Sequence, residues 1–321
     1  MNFQELFVST TQCPLCNART DNDTKLYKVK QYQWELDVIQ CGTCGLTYKS
    51  FFPTAKLFGD IYGSQYMHFE NENIQKQADE LHHRIGRIGK PIGRLLDYGC
   101  GNGSFVLAAL KAGWDAYGCD PFLPSPLASS VLSNRCYRRD IAKEECKDLG
   151  VFNCITMWAV SEHLFRTRET FNGLFPMVDK DGVFNFNSPF GRSKIALESG
   201  PQWRMARIVE HLQFHTFKSI EYIASLGNMT VERIRICGSP WPLGSVRSDG
   251  SSHNKEKGNE QLCGKAEVKP FGEARRTSLR EILFRELITK NRFKTKDAIS
   301  WAINRLKIGD HIEVMLRKKR V

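Results

Sequence analysis

Leu95-Leu96-Asp97-Tyr98-Gly99-Cys100-Gly101-Asn102-Gly103 is the stretch whose reading decides the fold. An apolar run leads into an acidic residue and then into three glycines at alternate positions. Ser104 and Phe105 follow, and Val106, Leu107 and Leu110 then recur at helical spacing. A strand that ends in such a loop and turns into a helix makes a nucleotide-binding corner. The glycines allow a tight turn and let a ligand approach the main chain closely. The spacing G-x-G-x-G is one residue tighter in its second half than the dinucleotide fingerprint G-x-G-x-x-G. A glycine-rich turn with no ligand carries the same local pattern, so the downstream sequence has to decide.

Downstream, residues 93–237 alternate strand-like apolar runs with helical patterns, which predicts a parallel sheet wrapped by helices. The second strand, from Trp114, ends at Asp120-Pro121-Phe122, about twenty residues past the glycine loop. A carboxylate there can accept both hydroxyls of a ribose, and Phe122 can pack on an adenine. The third strand is expected to end at Arg139-Asp140-Ile141, where Asp140 can take an adenine amino group. The fourth runs from Phe152 to Trp158 and opens into Ala159-Val160-Ser161-Glu162-His163-Leu164. The fifth is Gly182 to Pro189. Ligands of open α/β sheets sit beyond the carboxyl ends of the strands, where Asp97, Asp120, Asp140, Glu162 and His163 all fall. Any one acidic strand end can be a turn or N-cap residue; four in register with a glycine loop point to a site.

The chain has 321 residues, enough for one large α/β domain and a small accessory module. No apolar stretch approaches the length of a membrane span. Met1 to Gln12 lacks a basic-then-apolar signal pattern, so a cytoplasmic location is expected. Four of the eleven cysteines form two knuckles, Cys13-Pro14-Leu15-Cys16 and Cys41-Gly42-Thr43-Cys44, with 24 residues between them. Four thiolates so arranged close a tetrahedral zinc site with no place left for water, hence a structural metal. Tyr27 to Ile39 between them reads as hairpin strands, as in a zinc ribbon. A redox dithiol is the rival reading.

The formal net charge is +11, and residues 269–321 carry fifteen Lys/Arg against six Asp/Glu. A basic segment on a near-neutral body points to one local contact with something anionic, or to a solvated basic face. The expected organisation is a zinc ribbon (1–48), a connector and helix (49–90), an α/β core (91–239), a polar loop with basic amphipathic helices (240–307) and a terminal strand (308–321).

Together these motifs resemble the class I S-adenosylmethionine-dependent methyltransferases. More narrowly, they are similar to the bacterial zinc-ribbon group found among sugar and cell-surface polysaccharide methyltransferases. LLDYGCGNGSF resembles the first motif, GCDPF the ribose-binding motif and MWAVSEHL the segment after strand four. CGTCGLTYKSFFPTAKLFGDIYGSQY resembles the passage from ribbon to catalytic domain, with paired tyrosines Tyr62 and Tyr66. The segment around His211 and the ending IGDHIEVMLRKK resemble the family's later elements. Asn153 and Ala159 depart from the pattern, where aspartate and histidine are usual.

The resemblance implies a Rossmann-like seven-stranded methyltransferase sheet with helices on both faces. It makes the zinc ribbon an N-terminal addition and the basic helices an insertion before the last strand. S-adenosylmethionine and a structural zinc are the expected cofactors. The implied cofactor-binding set is Asp97, Gly99, Gly101, Gly103, Asp120, Phe122, Asp140, Trp158 and Tyr66. Cys13, Cys16, Cys41 and Cys44 are the metal ligands. His163 is the expected general base, with Glu162 orienting it and His211 and His215 as rivals. The expected acceptor is a small molecule or a nucleotide- or lipid-linked sugar. Peripheral contact of 275–296 with an anionic membrane is a further expectation. RNA methylation and a catalytically inactive binding module are the alternatives.

Overall fold

The computed structural model describes residues 2–65, 74–89, 91–141, 147–238 and 309–319. Its strands are β1 (Phe7–Ser9), β2 (Thr24–Gln31), β3 (Trp34–Gln40), β4 (Thr47–Lys49), β5 (Phe51–Pro53), β6 (Arg94–Tyr98), β7 (Asp115–Cys119), β8 (Cys136–Tyr137), β9 (Phe152–Met157), β10 (Val178–Pro189), β11 (Gln213–Phe214), β12 (Met229–Cys237) and β13 (His311–Lys318). Seven of them form one sheet in the order β12-β13-β10-β9-β6-β7-β8. Only β13 runs against the rest, lying antiparallel between β10 and β12. This is the expected seven-stranded sheet, with the last strand of the chain inserted between the fifth and sixth. Residues 239–308 between β12 and β13, including the predicted basic helices and 275–296, fall outside the described residues.

The strands are apolar on both faces because helices cover both sides. Leu95, Cys154, Val183 and Met315 pack with Val106 and Ala109 of the helix Ser104–Lys111. Leu96, Ile155 and Phe184, one residue on, and Val314, one residue before Met315, face Phe171 and Leu174 of Thr167–Leu174 and Ile220 and Ile223 of Phe217–Leu226. The period of two in a strand thus divides the apolar residues between two cores. The edge strand β8 is shorter than expected, since it ends at Tyr137 rather than at Asp140. It has a single partner, β7, so few hydrogen bonds extend it. The fifth strand starts earlier, at Val178.

The cysteine region is a second sheet in the order β11-β4-β3-β2. The β2–β3 hairpin pairs Gln31 with Trp34. β4 extends it, and β11, which follows β10 of the main sheet in the chain, adds a fourth strand. Cys13, Leu15, Leu46 and Tyr48 belong to the same buried cluster as Ile220 and Phe186. Thr216 Oγ1 donates to the Gly45 carbonyl at 3.0 Å. The cysteine-bearing sheet therefore shares a core with the main sheet.

Gly99, Gly101 and Gly103 have φ of +76°, +53° and +82°, the left-handed region that glycine tolerates best. At Gly99 a Cβ would lie 2.2 Å from Cγ2 of Val160. Gly99→Ala is expected to cost about 1–3 kcal/mol of unfolding free energy through strain and overpacking, read by urea denaturation. Adding Val160→Ala should restore part of the loss, because it frees the space.

Candidate active site

The loop after β6 owes its shape to two strands. Gly99 N–H donates to the Cys119 carbonyl at 2.7 Å. Gly101 N–H donates to Asp120 Oδ2 at 2.9 Å, and Phe122 N–H to Oδ1 of the same carboxylate at 2.7 Å. Asp120 thus has a lone pair on each oxygen engaged and a second available. Asp97 is 4 % exposed and accepts from Thr156 Oγ1 at 2.7 Å. Burial pushes its carboxyl up to about 7, against the opposing effects of the Thr156 hydrogen bond and the charge of Arg84.

A cavity of about 610 Å³ opens over this loop. It is lined by Asp97 to Asn102 of the loop after β6 and by Asp120, Pro121 and Phe122 after β7. Trp158, Ala159, Val160 and His163 after β9 line it too, as do Ile208, Glu210 and His211. Phe58, Ile61, Tyr62, Leu81 and Arg84 complete the lining. Tyr62 stacks on Phe122 at 5.3 Å and on Phe58 at 4.6 Å between ring centroids. The Arg84 guanidinium lies 5.7 Å from the Trp158 ring centre. Trp158 Nε1 is buried with no hydrogen-bond partner among the described residues. This volume and mix of aromatic and convergent polar groups suit a small-molecule ligand.

Glu162 and His163 sit on a single 3-10 turn, Ser161–His163. Gln213 Nε2 donates to the Ser161 carbonyl at 2.6 Å, and Leu212 N–H to the Glu162 carbonyl at 2.7 Å. His163 Nδ1 lies 3.0 Å from the Glu210 carbonyl, and His211 Nδ1 lies 3.1 Å from that of Met205. A carbonyl only accepts, so both rings carry hydrogen on Nδ1 and a lone pair on Nε2. The two rings meet edge to face at 4.8 Å. Burial lowers both, His163 to about 4, so both are neutral at neutral pH. Glu162 is 2 % exposed, and burial pushes it up to about 7. Its Oε1 lies 4.0 Å from His163 Nε2.

The structure brings together Asp97, Gly99, Gly101, Asp120, Phe122, Trp158, His163 and His211 around one cavity. Gly103 does not line it and packs against Leu132 and Cys136. Glu162 stands behind His163, and Asp140 is not among the lining residues. Tyr66 lies outside the described residues. His215 is fully buried between Phe171 and Phe186, away from the cavity. Asn153 accepts from Arg94 N–H at 2.9 Å and donates to Asp179, so it joins strand ends. Ala159 does line the cavity, at φ +53°, with its N–H on Asn187 Oδ1.

Two contributors escaped the sequence reading. Lys49 is 1 % exposed, and its Nζ donates to the Ile208 carbonyl at 2.6 Å. Its signal was a lone cation in the aromatic run Tyr48-Lys49-Ser50-Phe51-Phe52. Arg84 came from a polar helix that offered no comparable mark.

Cys13, Cys16, Cys41 and Cys44 converge, with Sγ–Sγ separations of 3.5 Å for Cys13–Cys44 and for Cys16–Cys41. A tetrahedral ion with bonds of about 2.3 Å needs edges near 3.8 Å, so the cluster fits such an ion. Asn17 N–H returns to the Cys13 carbonyl and Gly45 N–H to that of Cys41, each at 2.9 Å, which closes the two knuckles alike.

The family model for the methyltransferase domain matches residues 71–232, half of the chain, and the chain belongs to that family. It is a methyltransferase. A search of curated proteins finds no match. Among solved structures, it is similar to a SAM-dependent methyltransferase from Archaeoglobus fulgidus, at 14% identity over 83% of this chain and 100% of that one, with a TM-score of 0.43. Another is a SAM-dependent, possible histamine N-methyltransferase from Thermotoga maritima, at 11% identity over 81% and 100%, TM-score 0.47. Magnesium protoporphyrin IX methyltransferase from Synechocystis PCC 6803, with bound SAH, is 16% identical over 57% and 93%, TM-score 0.43. No described helix is long and apolar enough to cross a membrane.

A carboxyl raised in the fold is still neutral where the unfolded chain is already ionised, so it opposes folding increasingly as pH rises from about 4 to 7. Asp97→Asn removes this penalty. Without ligand, its stability relative to the parent chain should grow from pH 5 to 7 and then level, measured by denaturation at each pH. A constant difference contradicts the assignment.

Proposed function

We propose that the protein transfers a methyl group from S-adenosylmethionine to a hydroxyl of a small-molecule acceptor of sugar type, with zinc in the four-cysteine cluster as a structural ion. One observation carries the reading. A single cavity is lined both by the glycine loop with Asp120 and by His163 with His211. The second lone pairs of Asp120 suit the vicinal hydroxyls of a ribose, and Phe122 with Tyr62 offers a face for adenine. Arg84 and the unpartnered Trp158 N–H suit the methionyl carboxylate. The ammonium group beside it would add to the positive charge that Arg84 already brings to buried Asp97. Bound there, S-adenosylmethionine supplies an electrophilic methyl on a sulfonium.

The chain's own work is then to align the acceptor and to receive its proton. His163 Nε2 is the atom for that proton, since Nδ1–H is held by Glu210 and Glu162 stands 4.0 Å away to balance the imidazolium. His211 and Glu210, polar residues of the lining, suit a ring rich in hydroxyls. The sugar class itself rests on the resemblance of the ribbon-to-core segment.

S-adenosylmethionine or its demethylated product should raise the melting temperature of the purified protein by several degrees, and Asp120→Ala should abolish the rise. No shift in the parent chain, or an undiminished shift in the variant, overturns the cofactor reading. Copurifying RNA that is lost at high salt would favour an RNA acceptor instead.

Metal analysis should find one zinc per chain. Cys41→Ser should lose it, with a lower melting temperature. Absence of zinc in the intact protein overturns the structural-metal reading.

A further inference from the structure

The two histidines that line the cavity, together with Glu162 behind His163, offer more ligand atoms than one proton transfer requires. One donor atom from each of Glu162, His163 and His211 lies within 4.8 Å of the others. With Nδ1 of both histidines committed to the Glu210 and Met205 carbonyls, the ring atoms left to ligate are the two Nε2 lone pairs, and His163 Nε2 lies 4.0 Å from Glu162 Oε1. We infer that Glu162, His163 and His211 bind a divalent transition-metal cation.

Three observations carry this. Two imidazoles and one carboxylate are a donor set for first-row divalent ions, and they leave positions open for a further ligand. Each imidazole is already oriented as a metal-bound histidine is, with its remote N–H on a backbone carbonyl. Finally, Glu162 is 98 % buried and its Oε2 has no hydrogen-bond partner among the described residues. The basic side chains nearby are engaged elsewhere. Lys49, reaching up from β4, is spent on the Ile208 and Val209 carbonyls. His311, on β13, lies against Asp310 at 2.7 Å. The 4.0 Å between Glu162 Oε1 and His163 Nε2 would close by several tenths of an ångström around an ion with bonds of about 2.1 Å.

The inference rests on reading the His163 and His211 side of the cavity as the acceptor side, and it changes how the hydroxyl is activated there. The ion takes the acceptor oxygen as a further ligand and lowers the hydroxyl's pKa. His163 then serves as a ligand, and the hydroxyl proton passes to solvent water.

The test is a titration of the full-length, zinc-bearing protein with Co2+, followed by visible absorption. A site of nitrogen and oxygen donors gives weak visible bands without the thiolate-to-metal charge-transfer bands of the cysteine cluster. One equivalent should bind in this way to the parent chain, and Glu162→Gln and His211→Gln should each weaken binding at least about tenfold. Asp120→Asn, beside the glycine loop, should bind Co2+ as the parent does. Glu162→Gln should keep the thermal shift with S-adenosylmethionine, which separates failure of the cation site from failure of the cofactor reading. If Glu162→Gln does not fold, His211→Gln carries the same comparison. No Co2+ bands from the parent, thiolate bands alone, or undiminished binding in these variants overturns the inference.

Discussion

The two oxygens of Asp120 accept from the backbone N–H groups of Gly101 and Phe122, and the glycine-loop side of the cavity depends on that pair of hydrogen bonds. Three left-handed glycines in one loop have little intrinsic preference for the shape they adopt. The carboxylate at the end of the neighbouring strand selects that shape, and so places the loop's backbone beside Phe122. Because the carboxylate is spent first on its own chain, any ligand hydroxyls meet it already oriented. Binding then does not have to order the loop.

The histidine side is held by different means. The turn bearing Glu162 and His163 is fastened by Leu212 and Gln213. Gln213 opens β11, which pairs with β4 of the ribbon sheet. β4 ends in Lys49, whose ammonium holds the carbonyl of Ile208, two residues before the Glu210 carbonyl that orients His163. The cysteine knuckles therefore stand at the start of a continuous chain of contacts leading to the histidines. A change at the knuckles would reach the site through this chain, although these four cysteines do not line the cavity.

Burial is the common cost of this arrangement. Asp97 and Glu162 sit where water cannot solvate a carboxylate, and both are pushed up to about 7. The two histidines beside Glu162 are pushed the other way. A cluster in which acids and bases are all driven toward their neutral forms is ready to take up charge from a ligand. Groups of this kind concentrate at functional sites for that reason.

The glycine loop, the alternating elements, the cysteine knuckles, Asp120 and the Glu162-His163 pair were legible in the sequence. Each is a local pattern with a local physical cause: a backbone angle only glycine holds cheaply, a period of two or 3.6, or two thiols on one tight turn. What the sequence alone determined is the sheet and the position of its ligand-binding edge. Tertiary structure decided the rest. It brought His211 against His163, placed Lys49 beneath them, turned Arg84 and Trp158 toward the cavity, and left Asp140 and His215 out of its lining. These meetings follow from the pairing of β4 with β11 and the insertion of β13. Such pairings join residues far apart in the chain, and their free energy lies in contacts that no local spacing records.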